Sequence, residues 1–193
     1  MKRNLLLKSA LALAIASPLM ASAESQLTTG GGSAVARLDL QVVIPGVIYL
    51  GVGSGTDQIA TGGNVDNITF DYSNNADQVG ITNIPAADIS NSMATAGSTL
   101  PVRVFSNIGQ VVITAGNAAN LVSGTDTIPF TEMSVVSDNP NLAAPGFSGG
   151  TSQPLLAGRV TNQTANWTYS YRNSTAPAAG VYTGTVTYTA SLL

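Results

Sequence analysis

Apolar and polar residues alternate through Ser33–Ile44 (SAVARLDLQVVI) until Pro45-Gly46 interrupts the pattern. With period two, Ala34, Ala36, Leu38, Leu40, Val42 and Ile44 share one side. Ser33, Arg37, Asp39 and Gln41 share the other, with Val35 and Val43 as the exceptions. Such alternation predicts a strand with one face buried and one wet. At ~3.3 Å per residue it would run about 40 Å, beyond the usual strand of about 5–6 residues. Proline has no N–H to continue a ladder, so the element ends or changes direction at Pro45. The segment follows a glycine-rich leash, Thr28–Gly32. Alternation alone does not say whose core the apolar face fills, its own domain's or a neighbour's.

Further along, Val47–Val52 (VIYLGV) is almost wholly apolar and reads as a buried strand. Gly51 to Gly63 is loop-like, and Val65–Tyr72 alternates so as to bury Ile68, Phe70 and Tyr72. Ser73 to Gly97 reads as connection, with room for a short helical turn near Ala86–Ile89. Leu100–Ser106 and Gln110–Ala115 flank Asn107-Ile108-Gly109 and predict a hairpin. Thr127–Val136 reads as a strand in which Pro129 marks an edge or bulge. Ser137 to Pro154 has the composition of a surface loop, and Leu155–Val160 starts another strand. Trp167, Tyr169 and Tyr171 share one face. Aromatics at that spacing form core or cross-strand pairs more readily than a sugar-stacking platform. Val181–Leu192 alternates again, placing Tyr182, Val186, Tyr188, Ala190 and Leu192 inward and the threonines at 183, 185, 187 and 189 in solvent. About eight strands with irregular loops predict an all-β chain folded as a β-sandwich. Open sandwiches have edges that lysine or proline normally blunt.

Composition sharpens this picture. Charged residues make up 9% of the chain, against about 25% in ordinary domains, and Thr, Ser, Asn and Gly replace them. Few helix formers remain, and propensity favours sheet. Lys2 and Arg3, the apolar run Leu5–Ile15 and the small-residue site Ala21-Ser22-Ala23 predict a cleaved export signal over residues 1–23. Its apolar run falls short of the ~20 residues that cross a bilayer. Three of the seven basic residues leave with the signal; four arginines then face ten acids, a net charge of −6. That charge argues against nucleic acid and anionic membranes as partners. The remaining chain holds no lysine, cysteine or histidine. Isopeptide staples, disulfides, the usual zinc or haem ligands and Ser–His or Cys–His nucleophiles are thereby excluded. Uncovered sheet edges need a cover other than lysine.

The ends of the chain resemble a known family. ARLDLQVVIPGVIYLGV is similar to the start of cysteine-free chaperone–usher pilins of the alpha clade, where an alternating segment ends at a proline before the first strand. APAAGVYTGTVTYTASLL resembles their closing strand, G-x-Y-x-G-x-V after a turn. The two matches cover about 35 residues, and the closing pattern also occurs in spore-coat-U-type pilins, which usually carry cysteines. The resemblance implies an incomplete immunoglobulin-like sandwich over 45–193, preceded by an extension, 24–44, that is donated to the next subunit. Head-to-tail strand addition of this kind makes an open filament. The implied donor residues are Ala36, Leu38, Leu40, Val42 and Ile44. The implied partners are other copies of the chain, a periplasmic chaperone and an outer-membrane usher; the implied destination is a fimbrium on the cell surface. The implied role is structural and adhesive, with no enzyme activity and no cofactor.

Other signals are weaker. Asp57, Asp66, Asp71 and Asp77 lie in loops whose oxygens suit calcium, without EF-hand spacing. Asp71 with Asp77, or Asp88 with Glu132, would suit glycoside hydrolysis only if about 5–9.5 Å apart. Asn67, Asn162, Asn166 and Asn173 stand in N-x-S/T sequons, as expected by chance in so Asn/Thr-rich a chain. From a different functional class, the same composition fits a secreted, self-complete sandwich that binds glycan or surface material and presents an exposed aromatic patch.

Overall fold

The computed structural model describes residues 24–54, 59–60, 62–63, 65–73, 76–80, 99–116 and 119–193. The export signal over 1–23, the turn near Ala86–Ile89, Asp57 and Asp88 lie outside them. The chain divides into two units at Ile44/Pro45.

Among the described residues there are ten strands: β1 (Ile48–Val52), β2 (Thr99–Ser106), β3 (Val111–Ala115), β4 (Leu121–Ser123), β5 (Asp126–Ile128), β6 (Met133–Ser137), β7 (Thr151–Ser152), β8 (Leu156–Ala157), β9 (Val160–Tyr171) and β10 (Tyr188–Leu192). One antiparallel sheet runs β1-β2-β9-β6, with β8 hairpinned onto β9; the second runs β10-β3-β7; β4 and β5 form a small ribbon. The sheets face each other as a sandwich. Val102, Val104, Ala165, Trp167 and Tyr169 from one meet Val111 and Ile113 from the other in a single apolar cluster. The Trp167 ring packs edge-on against Tyr188 of the opposite sheet, with centroids 5.1 Å apart. Each large apolar side chain so buried contributes roughly 1.5–3 kcal/mol.

Pleating explains the register. In β2, Val102, Val104 and Ser106 point inward; in β3, Val111, Ile113 and Ala115 do. The aromatic row of β9 is core: Trp167 is fully buried and Tyr169 and Tyr171 nearly so. That placement removes the row as a sugar platform.

Several local expectations are corrected. VRVFS-NIG-QVVIT is not a hairpin, because β2 pairs with β1 and β9 while β3 pairs with β10 and β7. Residues 107–109 instead cross from one sheet to the other. The crossing is fixed by polar contacts a hairpin would not need: the Asn107 side chain binds Pro45 and Val47, and Thr161 Oγ1 donates to the Gly109 carbonyl. Thr127–Val136 is split, since Pro129 ends β5 and a 3-10 turn at Phe130–Glu132 drops the Phe130 ring into the core before β6. Val65–Tyr72 forms no strand, although Ile68 and Phe70 still pack on the core. The closing strand is shorter than its alternation, 188–192 rather than 181–192, and Thr183 makes only an isolated bridge to Val122.

Ser137–Pro154 is no simple surface loop. Its residues Leu142 and Phe147 are buried and close one flank of the sandwich beside β6 and β7. The Ser137 hydroxyl lies within hydrogen-bonding distance of the Asn139 and Leu142 carbonyls. Asn139 accepts from the Asn141 N–H at the start of a 3-10 turn. Trp167 Nε1 donates to the Leu142 carbonyl at 3.1 Å, so the indole has its partner without solvent. Phe147 then stacks on Tyr169 and meets Phe130 at a tilt.

Candidate strand-accepting cleft

The opposite flank is finished differently. It is formed by β1 and β10, which terminate the two sheets on the same side and approach within 8 Å without a ladder between them. Hydrogen-bond parity fixes which backbone groups look outward. Antiparallel pairs alternate between residues that bond across the ladder and residues that bond away from it. The Val47 carbonyl and the Gly53 N–H bond toward β2, so 47, 49, 51 and 53 face β2, and Ile48, Leu50 and Val52 turn their N–H and C=O to the open edge. On β10 the Thr187 carbonyl and Leu193 N–H bond toward β3. Tyr188, Ala190 and Leu192 therefore offer their polar groups to the same opening, with no strand partner among the described residues.

The side chains of those six residues point between the sheets, since Ile48, Leu50 and Val52 stand opposite Ser106, Val104 and Val102 of β2. One strand inward, Val102 and Val104 are 1% and 0% exposed, as are Val111 and Ile113 at 0%. At the flank Ile48 is 37% and Leu192 47% exposed. The expectation that Val47–Val52 is a buried strand is thus corrected: β1 forms, but its inward face is only half covered. Apolar side chains aimed into a sandwich yet left partly wet, beside unused ladder groups on both sheets, make a cleft with the chemistry of a strand acceptor.

The inner wall of this cleft carries Tyr188. Burial, with Tyr169 beside it, pushes its hydroxyl well above the ordinary tyrosine range. The Tyr169 and Tyr188 hydroxyls lie 3.4 Å apart. Burial also raises Tyr171, to about 12. These groups are neutral at all ordinary pH, as an apolar wall requires.

The extension, taken by itself, carries no strand. Ala36 is exposed, and Leu38, Leu40, Val42 and Ile44 are 74–85% exposed. Its start loops back on itself through Gly30 and Gly31, both with φ of +89°. There Val35 N–H donates to Gln26 Oε1, and Arg37 pairs with Glu24 at 3.3 Å. Such solvent-exposed contacts contribute little.

The weaker candidates find structural uses. Asp66 accepts from the N–H and hydroxyl of Ser54, and Asp71 from those of Ser73, which holds the Asp71 carboxyl below its usual range. No group of three or more acidic, histidine or cysteine side chains suited to a metal occurs among the described residues. Glu132 accepts from the Ser174 N–H and hydroxyl and braces a turn. The sequon asparagines Asn166 and Asn173 are engaged too. Asn166 binds the Asp138 carboxylate, and buried Asn173, at φ +52°, bridges Gly80 N–H and the Gln78 carbonyl. A hollow of about 530 Å³ lined by Arg103, Asp138, Asn139 and Asn166 lies over β2 and β9. Its Asp138–Asn166 and Asn139–Thr164 contacts tie the 138–142 turn to β9. What reading the sequence missed was the β1 edge, because a continuous apolar run looks the same whether its cover comes from its own chain or from outside.

No protein-family model, no curated protein and no solved structure matches this chain.

Proposed function

We propose that this chain is the structural subunit of an exported surface filament, and that its subunits join by strand donation. Residues 33–44 of one copy enter the β1/β10 cleft of the next. The observation that carries the reading is the open flank itself. Two sheets end side by side with half-wet inward side chains and outward ladder groups, and the same chain carries an exposed segment of matching alternation. In this reading the sandwich is immunoglobulin-like with one strand missing beside β10, and the extension begins at Glu24 after removal of the signal.

Parity gives the fit a register. An incoming strand would bond to Tyr188, Ala190 and Leu192, and the residues opposite must share their inward face. Even-numbered donor residues answer even-numbered β10 residues: Ala36, Leu38, Leu40, Val42 and Ile44 enter, while Arg37, Asp39 and Gln41 stay in water. Three or four large apolar residues moved from water into the cleft are worth roughly 1.5–3 kcal/mol each. Insertion from copy to copy does not close, so it yields a filament. A subunit with an open cleft needs a stand-in strand during export, the role of a periplasmic chaperone, and an usher for ordered assembly.

The test is to replace Leu38 and Leu40 by Asp in the mature chain and to follow assembly by electron microscopy and sedimentation. Filaments should vanish while the circular dichroism of the body is kept. Wild-type-like filaments would sink the reading. A wild-type chain that stays a stable monomer at high concentration would favour the self-complete binding module instead.

A further inference from the structure

In a filament joined by strand donation, tension reaches a subunit's body where the extension meets it, at Pro45. The first strand beyond is β1, a poor element to hold a load. Among the described residues β2 is its sole ladder partner, and its inward face is only half covered. An edge strand pulled at its end can peel one rung at a time. The start of β1 is reinforced at that point. The register that sets Ile48 opposite Ser106 places Val47 opposite Asn107, where the chain leaves β2 to cross toward β3. The Asn107 N–H still donates to the Val47 carbonyl, at 3.3 Å. The return rung comes from the side chain, because Val47 N–H donates to Asn107 Oδ1 at 2.7 Å. Asn107 Nδ2 then donates to the Pro45 carbonyl at 2.8 Å, beyond the end of the ladder. Gly46, held between these contacts, packs on Ile108: a Cβ there would lie 2.6 Å from Ile108 Cγ2.

Asn107 is tied in turn to the rest of the sandwich. It opens the crossing between β2 and β3, so its backbone is continuous with both sheets. Ile108 N–H donates to Ser106 Oγ, and the buried Thr161 of β9 donates through Oγ1 to the Gly109 carbonyl. Gln110 Nε2 donates to the Pro154 carbonyl at 2.7 Å, and the Gln110 carbonyl accepts from Leu193 N–H at 3.1 Å. Leu193 directly follows β10, one wall of the cleft. A bonded route therefore runs from Pro45 through Asn107 and the crossing to that wall, without passing along β1. In the filament it joins the strand a subunit donates to the strand it receives. Each of these hydrogen bonds contributes little net by itself, so what matters is that the three on Asn107 share the pull.

We propose that Asn107 is the load anchor of the filament: it passes tension from Pro45 and Val47 into the sheet crossing and keeps β1 from peeling. This rests on the filament reading, and its test separates the two. Single filaments of the mature chain are held at constant force in an optical trap. Their lifetimes are compared for wild type, Asn107→Ala, Asn107→Asp and Asn139→Ala, with the melting temperatures of the isolated subunits measured alongside. Asn139 serves as the control. Its side chain also bonds backbone at two points, accepting from Asn141 N–H and donating to the Thr164 carbonyl, but on the flank that no donated strand pulls. Asn107→Ala removes two side-chain bonds and should shorten the lifetime roughly tenfold. Asn107→Asp keeps the acceptor for Val47, loses the donor to Pro45, and should fall between. Asn139→Ala should lower the melting temperature comparably and leave the lifetime at the wild-type value. A wild-type lifetime for Asn107→Ala, or an equal loss for Asn139→Ala, overturns the anchor and leaves strand donation standing. If the wild-type chain forms no filaments, strand donation itself falls, and the anchor with it. Should Asn107→Ala fail to fold or to assemble, Asn107→Asp decides: a shortened lifetime supports the anchor, and a wild-type one overturns it.

Discussion

The two flanks of this sandwich are built from similar material and end in opposite states. Beside β6 and β7, the chain doubles back through 138–147, seats Leu142 and Phe147, and gives the Trp167 indole a carbonyl. Beside β1 and β10 no described residue does the same, and Ile48 and Leu192 stand half wet. Buried area is what stabilises a sheet edge, so the first flank is finished by its own chain. In the reading proposed above, the second keeps that free energy for a donated strand. A domain can therefore be fully packed at its centre and still leave apolar side chains half exposed at one side.

The contrast can be broken by mutation. Trp167→Ala should cost the body about 3–5 kcal/mol and Leu142→Ala about 2–5, read as a shift of the urea midpoint. Leu192→Ala should cost an isolated subunit less than about 1 kcal/mol, since about half of that side chain is already in water. If Leu192→Ala rivals Leu142→Ala in the isolated subunit, the open flank is not open. In the proposed filaments the order should change: Leu192→Ala, barely felt by the monomer, should accelerate their dissociation in denaturant.

pH sharpens the same comparison. Tyr188, Tyr169 and Tyr171 have folded-state values raised above the ordinary tyrosine value of 10.0, chiefly by burial. A raised value means that the folded state holds its protons more tightly than the unfolded one. Their contribution is complete below about pH 10 and is lost as pH climbs toward 12 and beyond. Unfolding scans should be flat up to about pH 10 and then fall. A strand seated beside Tyr188 should move that fall upward by deepening the burial.

The smallest effect belongs to Asp138, on the outer surface. The N–H of Asn166, then its side-chain amide, holds the Asp138 carboxyl below 3.8. Its support is present above that pH and fades as pH drops through the lowered value. Asp138→Asn should flatten the acid limb slightly and leave the neutral-pH midpoint almost unmoved.

How much was legible in the sequence varies by element. Trp167, Tyr169 and Tyr171 declared their shared face because a pleated strand admits one period only. The break at Pro129 followed from its missing N–H. Residues 107–109 misled, because Asn-Ile-Gly suits a hairpin and a sheet-to-sheet crossing alike; the difference lies in contacts to Pro45, Val47 and Thr161, distant in sequence. Leu142 and Phe147 hid among turn residues for a similar reason. The alternating face Ala36 to Ile44 was visible as a pattern, whereas the half-open flank beside β1 and β10 was not.

By itself, then, the sequence determined an all-β chain, the inward aromatic face of β9 and most of that of β10, and the chemistries closed to a chain without lysine, cysteine or histidine beyond residue 23. These follow from local sterics and from which side chains exist. Only the tertiary structure decided which strands neighbour one another, that β1 and β10 end their sheets on one side, and that their ladder groups face outward together. Pairing is a long-range choice, made between residues as far apart in the chain as Val111 and Leu192, and no local pattern records it.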